Sequence, residues 1–380
     1  MGAGVTLGIN GWRLQGQRTG IGRYVASLLQ HIDPPSARNS FSRINVYTPA
    51  AIDPSGLYLP DTLDTTVLAS TLPMIAWDNL RLGPSARESV VLYPSFSKPV
   101  ITRGASVVVT HDATMRVVPE MFSRRDRLVY DPLYGWSARS ATLVITTSQA
   151  ARDDIVSAWD VDAEKIRVTY MAAVATFRPL PPSVDGAALR SSLLGEDTPY
   201  FMFVGKVSGR RNIPQLLTAF GEFKRQRHPQ KLLIVGPDYA VAEARRLASE
   251  LGVGEHLLTR SHVPDDELNG LYNCADAFVM PSVYENGSLP VFEAQAAGTP
   301  VISVDTAGTR EITGGSALLI PKLDIRDLVA AMSLLASDTA ARAKFADRGL
   351  VNSRRFSWNK CAAETLSVCR EAAQISAGAA

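Results

Sequence analysis

Short runs of consecutive apolar residues alternate along the chain with longer segments in which apolar residues recur every three or four positions. Unbroken apolar runs of about four to six residues are typical of parallel strands buried on both faces, and the wider spacing is typical of helices. In the first part of the chain, strands are predicted at residues 5–10, 44–47, 66–68, 90–93, 107–110 and 143–146. The alternation indicates an α/β protein with doubly wound parallel sheets.

A second alternation of the same kind follows a break in the pattern. Residues 177–186 contain several prolines and a glycine without any periodicity, which predicts a linker between two domains. Beyond it, strands are predicted at residues 200–204 and 231–235, near residue 257, and at residues 277–280, 301–304 and 317–320. We therefore expect an N-terminal domain over residues 1–180 and a C-terminal domain over 187–356. Ligands of such paired domains usually lie in the groove between them.

The most informative stretch lies between the predicted strand 277–280 and the one that begins at 301. Asn286, Gly287 and Ser288 have turn chemistry, and a helix is predicted to begin at Leu289 and to end at Gly298. Free amide groups and the positive end of the dipole at a helix start stabilise a phosphate. The alternative is an ordinary crossover between a strand and a helix.

Two carboxylates frame this turn, Glu285 before it and Glu293 on the second turn of the helix. A carboxylate repels a phosphate, so these side chains are better suited to accepting hydrogen bonds from neutral hydroxyl groups. A sugar on one side of a diphosphate and a ribose on the other would fit this arrangement.

Basic residues occupy the turn after the predicted strand 200–204. Lys206 and Arg211 flank this polar loop, and a helix is predicted to begin at Ile213. Both cations can converge on a diphosphate, for which arginine and lysine are the usual side-chain ligands. Exposed charges on a solvated turn are the alternative.

The first domain offers a glycine pair and two polar residues at predicted strand ends. Gly20 and Gly22 precede a helix with apolar residues at 25, 28, 29 and 32, where they either let a ligand approach the backbone or form a plain tight turn. His111 follows the strand 107–110, at the edge where doubly wound sheets bind ligands, and a structural role is the alternative. Ser148 follows the next strand, where it either reaches the same edge or caps the helix that starts at Gln149.

The segment that starts at Pro281, P-S-x-Y-E-x-G-x-x-P-x-x-E-A-x-A-x-G-x-P-V-I, resembles the E-x7-E signature of retaining GT-B glycosyltransferases of family four. The resemblance implies two Rossmann-like domains that face a cleft, with a last helix, about 357–375, that returns to the first domain. It extends over nearly the whole chain, and its motifs are concentrated between about residues 200 and 320.

The resemblance also implies roles for individual residues. The Thr110-His111-Asp112 sequence is similar to the one whose histidine faces the donor sugar, and the glycine-bearing loop lies over the cleft. Residues 205–212 are similar to the phosphate-binding G-R-L-x-x-x-K-G turn with the two cations exchanged, and Asn212 replaces its last glycine. The loop with His262 and Val263 would lie beside the nucleotide base. Ser288 stands where the family usually has glycine.

A retaining glycosyltransferase is therefore the expected function. Glu285 would hold the sugar hydroxyls and Glu293 the ribose, while Lys206, Arg211 and the amides of residues 287–289 stabilise the leaving diphosphate. The resemblance implies front-face attack by the acceptor, with the leaving phosphate taking the proton, and neither a metal ion nor another cofactor is needed. The opening N-G-x-R…T-G-I-G-R-Y resembles mannosyl and rhamnosyl transferases of surface polysaccharides. GDP-mannose is therefore the expected donor, with a saccharide or lipid-linked acceptor.

Two other functions remain as alternatives, a nucleotide-sugar epimerase of the same fold and a non-catalytic sugar-binding protein. An epimerase needs acid and base residues for proton transfer at the sugar. The sequence offers no second convincing histidine or carboxylate in the predicted cleft to share that work. Product analysis without any acceptor separates an epimerase from a transferase.

The amino-acid composition limits the classes of binding partner and indicates the cellular compartment. With 46% apolar and 20% charged residues and a net charge of +2, the sequence does not indicate a nucleic-acid-binding protein. Three cysteines favour a reducing cytoplasm, and no apolar run has the length of a membrane span. Residues 122–139 mix arginines with aromatic residues, which fits either peripheral contact with anionic lipid or a solvated helix face. The D-x-D at residues 160–162 is interpreted as a loop.

Overall fold

Two all-parallel β-sheets organise the chain. The computed structural model describes residues 4–53, 57–322 and 324–378. Contacts divide the chain into two compact units, Met1–Met171 with Ser357–Ala380, and Ala172–Phe356. The first unit contains β1 (Thr6–Asn10), β2 (Arg43–Thr48), β3 (Leu63–Val67), β4 (Val90–Tyr93), β5 (Ala105–Val109), β6 (Leu143–Thr146) and β7 (Ile166–Val168). The second contains β8 (Tyr200–Val204), β9 (Lys231–Val235), β10 (Leu257–Arg260), β11 (Ala277–Met280), β12 (Val301–Val304) and β13 (Leu318–Ile320).

Each sheet has a point where the strand order reverses. The first sheet runs β3-β2-β1-β4-β5-β6-β7, so β1 lies between β2 and β4. The second runs β10-β9-β8-β11-β12-β13, so β8 lies between β9 and β11. Ligands of doubly wound sheets bind beyond the carboxyl ends of the strands at such a reversal. A ligand-binding site is thus expected at the loops after β1 and β4 in the first unit, and at those after β8 and β11 in the second.

Helices connect the strands in both units. They are α1 (Ile21–Gln30), α2 (Pro34–Ser40), α3 (Met74–Trp77), α4 (Gly83–Ser85), α5 (Thr114–Val117), α6 (Arg124–Ser140), α7 (Gln149–Trp159), α8 (Gly186–Leu194), α9 (Ile213–Arg225), α10 (Asp238–Glu250), α11 (Asp265–Cys274), α12 (Leu289–Ala297), α13 (Ala307–Thr313), α14 (Ile325–Ser337), α15 (Thr339–Ser353) and α16 (Trp358–Gly378). Short 3₁₀ turns lie at Trp12–Leu14, Pro119–Met121, Ala163–Lys165, Gly209–Arg211 and Gly254–His256, and a π-helical turn spans Asp78–Leu82.

The last helix belongs to the first unit. α16 packs against α1, α2 and the strands β4, β5 and β6. Trp358 at its start lies 5.7 Å from Tyr24 between ring centroids, and both side chains are buried. Burial of large aromatic side chains gives much of the free energy that holds such an element in place. The first unit is therefore built from two segments that are far apart in the sequence.

The α/β fold and the alternation of elements agree with the structure. The strands of the second unit and helices such as α9 and α12 begin within a few residues of the predicted positions. The pattern missed β7, which has three residues and is only partly buried at an edge of the sheet, and it missed α8.

The predicted linker is attached to the second unit. The backbone N–H of Arg178 donates to Asn269 Oδ1 at 3.0 Å, and that of Leu180 donates to Asn273 Oδ1 at 2.9 Å. Phe177 is buried and lies 5.8 Å from Tyr272 between ring centroids. The prolines at 177–186 therefore mark a segment that runs along α11, and the second unit begins earlier than the predicted 187.

Candidate functional site

The turn between β11 and α12 has the features of an anion site. Ser288 is the N-cap residue of α12, and its carbonyl accepts from the N–H groups of Val291 and Phe292. Its side chain caps nothing, is 2% exposed, and its Oγ has no hydrogen-bond partner in the described residues. The N–H groups of Gly287, Ser288 and Leu289 likewise donate to no described group. An oxygen-rich ligand is what this set of donors can bind.

Glu285 lies at the entrance to this turn and is held by one arginine. It is 5% exposed, and its Oε2 accepts from Arg210 Nη1 at 2.7 Å. The same Nη1 donates to the carbonyl of Tyr284 at 2.7 Å. Oε1 has no partner in the described part of the chain, and it is not sealed from solvent. One oxygen of Glu285 is therefore fixed, and the other can accept from a ligand hydroxyl.

Glu293 and Asn286 support the turn from inside. Glu293 is 2% exposed and its Oε2 accepts from the hydroxyl of Tyr272 at 3.2 Å. Asn286 Nδ2 donates to the hydroxyl of Tyr284 at 2.6 Å. Buried polar groups that are paired in this way rigidify the backbone around them. The contact between Glu293 and a ribose stays a prediction.

The start of α13 fixes the other side of the turn. Thr306 caps α13 in a capping box with Thr309, and its Oγ1 donates to the carbonyl of Glu285 at 3.2 Å. Gly308, in the first turn of α13, lies so close that a Cβ there would stand 2.1 Å from the same carbonyl and 2.6 Å from Asn286 Cα. Only glycine permits this approach.

The basic turn after β8 places its cations in three different positions. Arg211 lies back over the strand end, where Nη1 donates to the carbonyl of Val204 at 3.1 Å and the guanidinium lies 5.9 Å from the Phe203 ring. Burial lowers the pKa of Arg211, and the charge of Glu285 opposes that shift. Lys206 is exposed. Arg210, which the sequence analysis did not single out, is the cation that contacts Glu285.

The two turns are joined by their backbones as well. The N–H of Val283 donates to the carbonyl of Arg210 at 3.2 Å. Gly205 has φ of 144°, and a Cβ there would stand 2.1 Å from Arg211 Nη1, so glycine is required for Arg211 to fold back. Asn212 takes a left-handed conformation, φ 48°, where the resembling motif has glycine. The backbones of residues 210 and 283 therefore lie side by side, and the convergence of Lys206 and Arg211 on a diphosphate stays a prediction.

The loop predicted to lie beside a nucleotide base is at the surface. His262 is exposed, has φ of 56°, and its Nε2 lies 2.8 Å from Asp238 Oδ2. The hydrogen bond from His262 lowers the pKa of Asp238. Val263 is partly buried. These contacts account for the His262 side chain without a ligand, so its role beside a base stays a prediction.

In the first unit, the glycine pair has two separate explanations. Gly20 is the N-cap residue of α1 with φ of 50°, and the space where a Cβ would stand is open. At Gly22 a Cβ would lie 2.9 Å from the carbonyl oxygen of Arg13, so glycine is needed there for close packing. Close packing thus explains Gly22, whereas the positive φ of Gly20 fits a tight turn and the open space beside it leaves room for a ligand.

His111 follows β5 and is held as a neutral ring. Its Nε2 lies 3.1 Å from the carbonyl oxygen of Pro94, so this nitrogen carries the proton. The ring packs edge-on against Tyr24 with 4.8 Å between centroids, and burial lowers the pKa of His111. Nδ1 is then an acceptor suited to a sugar hydroxyl.

Ser148 takes the capping alternative. Its Oγ accepts from the N–H of Ala151 at 3.0 Å and its side chain is fully buried, so it presents no surface to a ligand. Asp160 and Asp162 lie in a loop as expected, where Asp160 ends α7 in a left-handed conformation and Asp162 caps a 3₁₀ turn.

No group of three or more His, Cys, Asp or Glu in the described ranges has a geometry that could hold a metal ion. None of the helices in the described part of the chain is long and apolar enough to cross a membrane.

Both the sequence and the fold are similar to those of known proteins. Residues 187–350 match the family described as "Glycosyl transferases group 1". This part of the chain is a glycosyltransferase group 1 domain. The protein is accordingly a glycosyltransferase, and its two parallel sheets form the GT-B fold.

Individual relatives of this glycosyltransferase are distant. It is 28% identical over 267 residues to O-antigen chain mannosyltransferase B of Escherichia coli, an alignment that covers 69% of each chain. It is 31% identical over 247 residues to the D-inositol 3-phosphate glycosyltransferase of Xylanimonas cellulosilytica, which covers 62% of this chain and 58% of that one. These alignments thus leave about three tenths of the first relative and about four tenths of the second unmatched.

Solved structures resemble the glycosyltransferase over nearly its whole length. Sucrose-phosphate synthase from Thermosynechococcus elongatus matches with a TM-score of 0.75 at 20% identity, covering 97% of this chain and 98% of that one. Anabaena HepE in complex with UDP-glucose matches with a TM-score of 0.73 at 20% identity, covering 95% and 99%. At this identity the similarity shows the fold.

Sequence reasoning missed two residues that shape the site of the glycosyltransferase. Arg210 stands beside the predicted Arg211, and the doubled arginine was the only signal for it. Gly308 begins a motif that resembles a family turn, but its contact with the carbonyl of Glu285 depends on a packing distance that no local pattern encodes.

Proposed function

We propose that this glycosyltransferase moves a hexose from a nucleotide-diphosphate sugar to a saccharide or lipid-linked acceptor, with retention of the anomeric configuration. The observation that carries the proposal is at the start of α12, where the buried Oγ of Ser288 and the N–H groups of residues 287–289 have no hydrogen-bond partner among the described residues. A buried hydroxyl without a partner costs free energy, which a ligand that bonds it recovers. Oxygens of a diphosphate match this set of donors.

The chemistry assigned to each group follows from its charge. As the bond to the sugar breaks, negative charge develops on the leaving diphosphate, and the N–H groups of residues 287–289 together with Lys206 and Arg211 stabilise it. Glu285 Oε1 accepts from a sugar hydroxyl while Oε2 stays on Arg210. The neutral Nδ1 of His111 accepts from another hydroxyl of the donor sugar. The acceptor attacks from the side of the departing phosphate, which takes its proton.

GDP-mannose is the donor that the proposal favours. The E. coli relative is named a mannosyltransferase, and the opening motif of this chain points the same way. UDP-glucose, which is bound in the HepE structure, is the second candidate. The proposal includes no metal ion, because cationic side chains and the helix dipole supply the positive charge.

A thermal-shift panel tests the donor site. GDP, UDP and dTDP are each added without magnesium, and we expect one of them, GDP first, to raise the melting temperature, since a ligand that binds only the native state stabilises it by about 3 kcal/mol at 100 times its Kd. GMP is the matched control, because it lacks the second phosphate. Absence of a shift with every diphosphate contradicts the proposal.

An activity assay separates the transferase from its alternatives. With GDP-mannose and a mannoside acceptor, a retaining transferase yields an α-linked product, which the anomeric coupling in an NMR spectrum identifies. An epimerase changes the donor without an acceptor, and a binding protein changes nothing. Glu285→Ala should abolish transfer, while Glu255→Ala, at an exposed carboxylate of the same unit, should not.

Cytoplasmic placement with peripheral contact to an anionic membrane belongs to the same proposal. Leu128 is 78% exposed on α6, beside the exposed Val129 and the exposed arginines 124 and 125. Apolar residues among basic ones suit anionic lipid head groups. Cosedimentation with phosphatidylglycerol vesicles should be lost in Leu128→Gln and retained in Val351→Gln, which removes an exposed apolar side chain of the other unit. Equal sedimentation of both variants would count against the contact.

A further inference from the structure

Arg13 lies at the point where the strand order of the first sheet reverses. It is in the 3₁₀ turn that begins two residues after the end of β1, and Ser95 lies two residues after the end of β4, the neighbouring strand. Arg13 Nε donates to Ser95 Oγ at 3.2 Å, and the guanidinium carbon lies 5.7 Å from the ring centroid of Trp12. The side chain is thus held in place at the edge of the sheet where ligands of such folds bind.

The charge of Arg13 is not neutralised by a protein carboxylate. In the described ranges Arg13 forms no ion pair, and its two terminal nitrogens have no hydrogen-bond partner. The carboxyl group that senses its charge is Asp78, which is 1% exposed and accepts from Asn10 Nδ2 at 2.7 Å. Burial raises the pKa of Asp78 to about 7, so near neutral pH it carries only part of a negative charge.

Aromatic side chains surround the same place. Phe96, next to Ser95, stacks on Tyr134 with 4.8 Å between centroids and lies 5.3 Å from the ring of His111. The charge of Arg13 acts to lower the pKa of both His111 and Tyr134, so both lie within its electrostatic range. Sugar rings pack on aromatic faces, and an arginine fork binds a phosphate or carboxylate through two nitrogens.

We propose that Arg13, anchored by Ser95, binds an anionic group of the acceptor, a phosphate or a carboxylate, with the sugar ring of the acceptor against Phe96. This inference rests on the proposed transferase function. The diphosphate of the donor has its own set of donors at residues 287–289 in the other unit, which leaves Arg13 for a second anion. It predicts a preference for charged acceptors over neutral ones.

The test compares a charged and a neutral acceptor analogue on the full chain saturated with GDP. Isothermal titration of mannose 6-phosphate and of methyl α-mannoside is carried out on wild type, Arg13→Gln, Arg13→Lys and Arg103→Gln. Arg103 is an exposed arginine of the same unit and serves as the matched control. Saturation with GDP blocks the phosphate turn of the other unit.

We expect wild type to bind mannose 6-phosphate at least about 10-fold more tightly than the neutral mannoside, because a hydrogen bond to a charged group contributes enough free energy for a difference of this size. Arg13→Gln should remove this preference, Arg13→Lys should keep part of it, and Arg103→Gln should keep all of it. Equal binding of the two analogues by wild type, or an unchanged preference in Arg13→Gln, overturns the inference. Binding of GDP to Arg13→Gln reports on the proposed function separately, because failure there concerns the donor site.

Discussion

Arg210 Nη1 lies 2.7 Å from Glu285 Oε2, and this ion pair joins the two turns of the second unit that follow β8 and β11. The Arg210 side chain is 21% exposed and that of Glu285 is 6% exposed. An ion pair shielded from water to this extent is costly to break from one side, because the remaining charge stays buried. The geometry of Glu285 therefore depends on a residue of the neighbouring turn.

Replacing Arg210 by glutamine should separate positioning from binding. If Glu285 holds the donor sugar as proposed, we expect kcat/KM to fall at least about 10-fold, since the displaced carboxylate loses its alignment, while the affinity for GDP changes little. Arg210→Lys should recover part of the activity. The free energy of unfolding should fall by about 3 kcal/mol, as is typical when one partner of a buried ion pair is removed.

The matched control for that variant is Arg225→Gln, which breaks the exposed pair with Glu222. This variant should lower the free energy of unfolding by less than about 1 kcal/mol and leave kcat/KM unchanged. If Arg210→Gln and Arg225→Gln behave alike in denaturant titration and in the assay, Arg210 does not position Glu285.

Gly308→Ala should disturb the site without touching any ligand. Its Cβ would stand 2.1 Å from the carbonyl of Glu285, so either α13 or the turn must move. A shift of about 1 Å at reacting groups can cost about 100-fold in rate. The measurement is kcat/KM together with the melting temperature, compared with Gly254→Ala, where a Cβ meets nothing closer than 3.8 Å. Full activity in Gly308→Ala would show that the turn tolerates displacement.

Ser288→Ala should weaken nucleotide binding and leave stability unchanged or slightly higher. The hydroxyl has no partner in the described residues, so its removal costs no hydrogen bond in the unliganded protein. If it donates to the diphosphate, the Kd for GDP should rise about 10-fold, as expected for a hydrogen bond to a charged group. Titration calorimetry measures this, and GMP should show a smaller difference between wild type and variant. An unchanged Kd would remove Ser288 from the phosphate site.

Asp78→Asn should stabilise the protein at high pH more than at low pH. Burial raises the pKa of Asp78 from 3.8 to about 7, so its stabilising contribution is complete below about pH 4 and is lost as pH rises through about 7. At about 1.36 kcal/mol per pKa unit, that loss is of the order of 4 kcal/mol at pH 8. Asparagine keeps the acceptor for Asn10 and cannot ionise.

The measurement is the difference in melting temperature between Asp78→Asn and wild type across pH 4.5 to 8.5. The difference should grow with pH in favour of the variant. The other ionisable groups are the same in both proteins, so their contributions to the pH dependence cancel in this difference. A difference that does not vary with pH would mean that Asp78 has an ordinary pKa.

Elements with strong local signals were predictable from the sequence. Residues 277–298 show a buried apolar run, a turn with Asn and Gly, a proline in the first helical turn and a terminal glycine, and β11 and α12 follow them closely. Each of these signals acts within a few residues, so no tertiary information is needed.

The interactions that complete the site depend on distance in space. Nothing in the sequence distinguishes Arg210 from Arg211, because the direction of each side chain is set by Gly205 and by the packing of Phe203 under Arg211. Ser148 shows the same limit, since capping and ligand contact are equally compatible with a serine after a strand. The predicted linker at 177–186 was interpreted from its prolines, whereas Asn269 and Asn273 on α11 fix the segment by hydrogen bonds.

The place of α16 in the first unit bears on how the chain acquires its structure during translation. Strands β1 to β7 leave the ribosome early, yet Trp358 and Cys361, which are buried in the same unit, are synthesised only after all of the second unit. A polypeptide stopped at Phe356 would leave the apolar surface under α16 open to aggregation. The first unit can therefore complete its fold only after the whole second unit has been synthesised. A C-terminal truncation would thus destabilise the unit that contains the N-terminus.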